Sequence, residues 1–340
     1  MKNRIILLED TYKILIYEEN LNVKLSENEI LLKIVSSGIC GSDLHYFRNG
    51  GLGSFKQKMP LSLGHEPAGI VVESKSKKFK HYDRVAIEPG LSCGDCFFCV
   101  HDKSNLCPTV KFMGANYYGS LRDYIVVNEK QLIKIPDSMT YSKASLIEPF
   151  GVALHNIYLA EIKNSIFSRN ICIIGSGPIG LLIYLILIND FPELNIFIYE
   201  NNFFRKELTK KNFGANFLSD DDFKNIKFDI IFETGANQNS LNAAQSCIAP
   251  SGKIIFISIP ETDFIEINPH KMRINESSIL FSRRSSLDLE LTLEKFIDLN
   301  IDDSMFVTHY FPPEKAQDAF ELADQKKCLK VQIDFGSSTS

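Results

Sequence analysis

In the first half of the chain, apolar residues come in short runs broken by Gly, Pro and polar clusters, at 30–35, 70–72, 84–87, 124–127 and 131–135. Runs of this length, rich in Val, Ile and Leu, predict strands, and their spacing predicts a mostly β domain with long loops up to about Ile147. From Asn170 onward the pattern changes. Apolar runs at 171–174, 196–199, 229–232 and 253–257 alternate with helical stretches, which predicts βαβ units on a parallel sheet. The boundary falls between Pro149 and Ser168. Near the end, Pro313 stands at a first helical position before Ala316, Ala319, Phe320 and Ala323, an i, i+3, i+4, i+7 stripe. A last strand is predicted over 330–335 and a frayed tail over 336–340.

The longest apolar stretch, 171–188, is about long enough to cross a bilayer, but Gly175, Gly177, Pro178 and Gly180 divide it into a strand, a turn and a helix. No membrane anchor is expected. The start, Met1 to Arg4, is charged like the head of an export leader, yet only Ile5 to Leu8 follow before Glu9 and Asp10, so no leader is expected either. With 340 residues the chain is long enough for about two domains. Thirty-seven Lys plus Arg stand against 42 Asp plus Glu, which excludes the basic excess of a nucleic-acid binder. Eight cysteines are too few for a disulfide scaffold, but four crowd between Cys93 and Cys107, which points to a metal in a reducing compartment and a cytoplasmic protein.

Three constellations carry chemistry. Gly175-Ser176-Gly177-Pro178-Ile179-Gly180 follows a predicted strand and opens a helix, the setting in which glycines let a dinucleotide pyrophosphate approach backbone N–H groups. Glu200, 20 residues past Gly180 at the end of the next strand, is placed to accept both ribose hydroxyls and to repel a 2′-phosphate, which favours NAD. A chance glycine turn would not carry the spaced acid. Cys93, Cys96, Cys99 and Cys107 form C-x2-C-x2-C-x7-C, which suits a closed, structural Zn2+; buried unligated thiols and an iron–sulfur cluster are the alternatives. The third set is dispersed: Cys40, His65, Glu66 and Glu148. One sulfur, one nitrogen and one or two oxygens from separate segments match an open catalytic zinc, although each residue alone reads as an ordinary buried or surface side chain.

With Gly38-Ile39-Cys40-Gly41-Ser42-Asp43, Gly64-His65-Glu66, Asp83-Arg84-Val85, the four-cysteine segment and the 175–180 turn, the chain resembles the zinc-dependent medium-chain dehydrogenase/reductase family. The segment from Ser42 to Tyr46, with Gly51-Leu52-Gly53-Ser54-Phe55 and Pro60, is most similar to its sorbitol and L-idonate dehydrogenase branch. The resemblance implies an α/β chain with a GroES-like catalytic domain over 1–150, a Rossmann domain over 151–285 and a return to the first domain over 286–340. It implies two Zn2+ and NAD, a polyol or sugar-acid substrate, and a homo-oligomer, dimer or tetramer. Cys40, His65 and Glu66 would then bind the catalytic zinc, with Glu148 a fourth ligand or hydrogen-bonded to the metal water, and Asp43 behind them. Ser42 would take the substrate proton and pass it toward His45. Gly175, Gly177, Pro178, Ile179, Gly180, Glu200, Arg205 and Arg284 would bind cofactor, and Tyr46, Phe55 and Phe112 would border the substrate. Two features depart from the branch. The 112–120 segment is shorter than its counterpart in typical polyol members, and Glu148-Pro149-Phe150-Gly151 is similar to the threonine 3-dehydrogenase branch. From another class, a redox-inactive NAD sensor keeping only the structural zinc is the competing reading.

Overall fold

The computed structural model describes residues 1–162 and 170–336. Ser168, the far limit of the expected boundary, and 337–340 of the expected tail lie outside the described residues. The chain divides into two compact units. One comprises Met1–Gly51, Phe55–Glu148 and the chain from Ser286 on; the other comprises Leu52–Ser54 and Pro149–Ser285.

The first unit is built on a sheet that runs, among the described residues, in the order Leu132–Lys134, Arg84–Ile87, Glu66–Ser74, Glu29–Gly38, Lys330–Asp334, Val307–Phe311. Tyr124–Asn128 pairs with the first half of Glu29–Gly38 and Lys330–Asp334 with its end. Ile30, Leu31, Leu32 and Ile34 are all at most 1% exposed, so this central strand shows a continuous apolar run instead of alternation. It continues past the expected Val35 because Ser36 and Ser37 are buried with partners: Ser36 Oγ donates to Gln332 Oε1 at 3.0 Å, and the Ser37 and Ser120 hydroxyls bond at 2.9 Å. Glu66–Ser74 begins four residues before the expected 70–72 run. Its first half carries Glu66, Pro67 and Gly69, and a Cβ on Gly69 would overlap the Lys33 carbonyl oxygen of the next strand.

A hairpin of Lys2–Asp10 and Lys13–Asn20 and the helix Gly41–Asn49 carry no strong apolar period and were not expected. The helix is stopped by Gly50, which takes φ 65° and donates its N–H to the Tyr46 carbonyl at 2.7 Å. The Pro313 stripe forms a 3-10 turn, Pro313–Lys315, and then the helix Ala316–Asp324. Phe320 is fully buried, 5.4 Å from the Phe47 ring.

In the second unit the strands Asn195–Tyr199, Asn170–Ile174, Phe228–Glu233, Ile248–Phe256 and Ser278–Phe281 stand side by side in that order, every neighbouring pair parallel. The last of these was not expected. Asn170–Ile174 turns directly into the helix Pro178–Asp190, so the 171–188 stretch is a buried strand, turn and helix. No helix among the described residues is long and apolar enough to cross a membrane.

Candidate active site and metal sites

In the second unit the turn at Gly175 is forced by sterics. Gly175 has φ 102°, and a Cβ there would overlap Thr234 Oγ1. A Cβ on Gly180 would overlap the Gly175 carbonyl oxygen and press on Ile173, so the helix packs against the strand only with glycine there. Gly177 differs. It caps the helix with Pro178 in the first turn and no side-chain cap, and a Cβ on it would meet only Arg205 Nη1, at 3.5 Å. That leaves an open cradle over free helix N–H groups with a guanidinium at its rim, which fits a pyrophosphate. Glu200 follows the strand end, Tyr199, by one residue. Its Oε2 accepts from Ser176 N at 2.8 Å and Ser176 Oγ at 3.1 Å, and its Oε1 accepts from Asn202 N at 2.7 Å, so the acid is fixed at the turn.

Cys93, Cys96, Cys99 and Cys107 lie on a lobe of short 3-10 turns in the first unit, with Phe97 and Val100 exposed. Their thiols are free, with S···S separations of 3.8 Å between Cys93 and Cys99, and 3.5 Å for both Cys96–Cys99 and Cys93–Cys107. A disulfide needs about 2.0 Å, whereas a tetrahedron with Zn–S of about 2.3 Å has S···S edges of about 3.8 Å. Hydrogen bonding, first from the Cys93 N–H, draws the Cys107 thiol down to about 6. The donor set and its spacing fit a closed zinc site.

The dispersed set converges within the first unit. Cys40 ends the loop after the Glu29–Gly38 strand, His65 precedes Glu66–Ser74, and Glu66 opens it; one donor atom from each lies within 4.8 Å of the others. Asp43, fully buried in the first turn of the Gly41–Asn49 helix, ties the segments together. Its Oδ2 accepts from Cys40 N at 2.9 Å, its Oδ1 accepts from Gly64 N at 3.2 Å, and Oδ1 stands 3.5 Å from His65 Nδ1. A carboxylate on Nδ1 leaves Nε2 as the outward donor, the arrangement of a metal-ligating histidine. Burial works against charge on both partners, yet the Asp43–His65 pairing outweighs it, so the Asp43 carboxyl is lowered and His65, with Cys40 also nearby, is held well above its ordinary range. Glu66 is 1% exposed, and its Oε1 has no hydrogen-bond partner. A thiol, an imidazole and an orphaned buried carboxylate oxygen fit a metal of zinc's preferences. Glu148, second residue of the helix Ile147–Ala160, is not in this trio; burial first, then Glu66 and Glu88, push its carboxyl up to about 8.

Residues 26–137 match the alcohol dehydrogenase GroES-like domain. Sorbitol dehydrogenase of Bacillus subtilis (strain 168) is 34% identical over 325 residues, 91% of each chain. The chain belongs to the zinc-dependent medium-chain dehydrogenase/reductase family. L-Idonate 5-dehydrogenase from Escherichia coli K-12 has the same architecture, with a TM-score of 0.88 and 25% identity over 98% of this chain and 99% of that one. A short chain alcohol dehydrogenase (rspB) from E. coli CFT073, complexed with cofactor NADH, gives a TM-score of 0.86 and 26% identity over the same shares. This member of the family is therefore an oxidoreductase with a GroES-like domain and a Rossmann-type parallel sheet, at family level a polyol dehydrogenase acting on a small molecule.

The family's remaining expected positions separate into two groups. Ser42 Oγ lies 3.4 Å from His65 Nε2, His45 is buried one helical turn on, and the Phe112 ring centroid is 5.5 Å from that of His65. Phe112 opens the short 112–120 segment, which closes on the Leu63–Gly64 turn: a Cβ on Gly114 would meet Gly64 at 2.9 to 3.2 Å. Tyr46 is 4% exposed and Phe55 61%, so the first is packed in the helix core and the second stands in solvent. Arg284, in the second unit, sits in a loop at φ 56°. Sequence reasoning missed Lys330. It is 3% exposed and forms an ion pair with Glu66 Oε2, and its Nζ donates to the Ile39 carbonyl at 3.2 Å. Burial opposes its charge, but Glu66 and Cys40 hold the ammonium above its ordinary range.

Proposed function

We propose that the protein oxidises a secondary alcohol of a polyol or sugar acid with NAD, using a catalytic zinc on Cys40, His65 and Glu66 and a structural zinc on the four cysteines. The convergence of Cys40, His65 and Glu66 around buried Asp43 carries this reading, because two segments 25 residues apart bring three unlike donors together about one buried carboxylate. Bound there, zinc supplies Lewis acidity that makes a substrate hydroxyl easier to deprotonate, and NAD takes up the hydride.

The chain's own groups supply orientation and proton movement. Ser42 Oγ, beside His65 Nε2, is the hydroxyl that accepts the substrate proton, and His45, three residues further along the same helix face, draws it inward. Phe112 walls the His65 ring and excludes water from that side. Glu148, buried beside His65 and Glu66, is either a fourth metal ligand or a hydrogen-bond partner of the metal water. On the second unit, the cradle at Gly177 and Arg205 takes the pyrophosphate. Glu200, held at the turn by Ser176 and Asn202, sets a negative charge against a 2′-phosphate at the end of that strand, which supports a preference for NAD. The names of the relatives, sorbitol dehydrogenase and L-idonate 5-dehydrogenase, support a polyhydroxylated substrate, whose hydroxyls are suited to hydrogen bonding with Ser42 and the carboxylates beside the trio.

An NAD+ reduction screen over sorbitol, xylitol, L-idonate, galactitol and L-threonine tests the substrate class. A polyol or sugar acid should give the highest kcat/KM; L-threonine exceeding all of them would overturn the branch, and no turnover with a single zinc per chain would favour the sensor.

A further inference from the structure

The Glu66 and Lys330 strands flank the end of the Glu29–Gly38 strand on opposite sides, Gly38 pairing with Glu66 on one and with Gln332 on the other. Side chains two strands apart start roughly 9.6 Å from each other, so an ion pair between them must pass over the middle strand. It passes over Gly38, where a Cβ would overlap Glu66 Oε2 and come within 2.9 Å of Lys330 Cε. The same ammonium also holds the carbonyl of Ile39, the residue before Cys40. Both ends of the pair are almost fully buried, at 3% and 1% exposure, and Glu66 Oε1 is left without a hydrogen-bond partner.

We propose that Lys330 is a positioning residue for the metal centre: it holds one oxygen of Glu66 across Gly38 and so limits how much of that carboxylate the metal receives. The proposal rests on the reading of Cys40, His65 and Glu66 as zinc ligands. With the ammonium on Oε2, part of the Glu66 negative charge is already neutralised within the protein, so the carboxylate has less to give the metal. Without Lys330, the buried carboxylate of the metal-free chain loses its partner and Glu66 gives the metal its full charge. The metal is then held more tightly, and Glu66 crowds the coordination position that substrate needs.

Zinc affinity tests this, measured by chelator competition on the full chain, with each variant's Cys40→Ser counterpart subtracting the four-cysteine site. Lys330→Met should bind zinc at the Cys40 site at least about tenfold more tightly and release it more slowly, while Lys330→Arg stays near wild type. In a Glu66→Gln background, adding Lys330→Met should change affinity by less than about twofold, since Lys330 acts through that carboxylate. If Lys330→Met alone is too unstable to purify, Lys330→Gln, which removes the charge but keeps an amide that can donate a hydrogen bond, replaces it and should show the same tightening. Unchanged or weaker binding in Lys330→Met, or a tenfold shift that persists with Glu66→Gln, would overturn the proposal while leaving the ligand reading intact. Wild type binding zinc no better than Cys40→Ser would remove the ligand reading, and the proposal with it.

Discussion

The four-cysteine lobe and the Cys40 cluster pose the same physical problem, collecting metal donors, and meet it in opposite ways. The lobe draws four identical donors from 15 consecutive positions on an exposed segment with little apolar packing, and its sulfurs already stand 3.5 to 3.8 Å apart. The Cys40 cluster draws three unlike donors from a strand end, a turn and the next strand, all set in the core sheet, and needs Asp43 and Lys330 to hold them. Where donors outnumber supporting groups, the metal organises the chain; where supporting groups hold the donors, the chain organises the metal. Under the proposed assignment the first arrangement serves folding and the second leaves an open position for chemistry.

Five substitutions, taken from the largest effect on turnover to the smallest, probe these two sites and the cofactor turn. Cys40→Ser or His65→Ala should cut kcat/KM by on the order of a thousandfold or more. Cys40→Ser should leave unfolding by circular dichroism nearly unchanged, because the surrounding sheet does not depend on the metal, whereas His65→Ala also removes the partner of buried Asp43 and lowers stability while leaving a folded protein. Asp43→Asn should weaken zinc binding at this site by about 10- to 100-fold in a chelator titration, since it leaves the ligands in place and removes the charge on His65 Nδ1. Glu200→Ala should narrow the ratio of kcat/KM for NAD+ over NADP+ by roughly tenfold, and an unchanged ratio would transfer the ribose contact to another residue. Cys96→Ser should leave KM within about twofold for any folded protein, yet lower Tm by on the order of 10 °C or make the chain insoluble. A Cys96→Ser protein as stable as wild type would contradict the division drawn between the two sites.

Much of this was legible in the sequence, and the misses share a cause. The parallel strands, the 175–180 turn and the two groups of donors that come together could be read because period, glycine placement and donor type are local signals. Lys330 could not. In Leu329-Lys330-Val331-Gln332-Ile333 the alternation is that of a strand, and a polar face made of Lys and Gln reads as the solvent side. Both are buried, at 3% and 0% exposure, because each meets a polar partner across the sheet: Glu66 for Lys330, and Ser36 with Ser145 for Gln332. The period was right and the polarity of the face misled. Ser36 and Ser37 were lost from their strand for the same reason, and the Gly41–Asn49 helix because its residues were legible as chemistry but not as an apolar stripe.

The central claim, that two metal sites divide folding from chemistry, is tested most directly by counting zinc per chain in wild type and Cys40→Ser purified side by side. Two equivalents in wild type, and one in a Cys40→Ser protein that keeps its Tm and loses turnover, is the predicted result. One equivalent in both, or a Cys40→Ser enzyme that still oxidises its substrate, would contradict it.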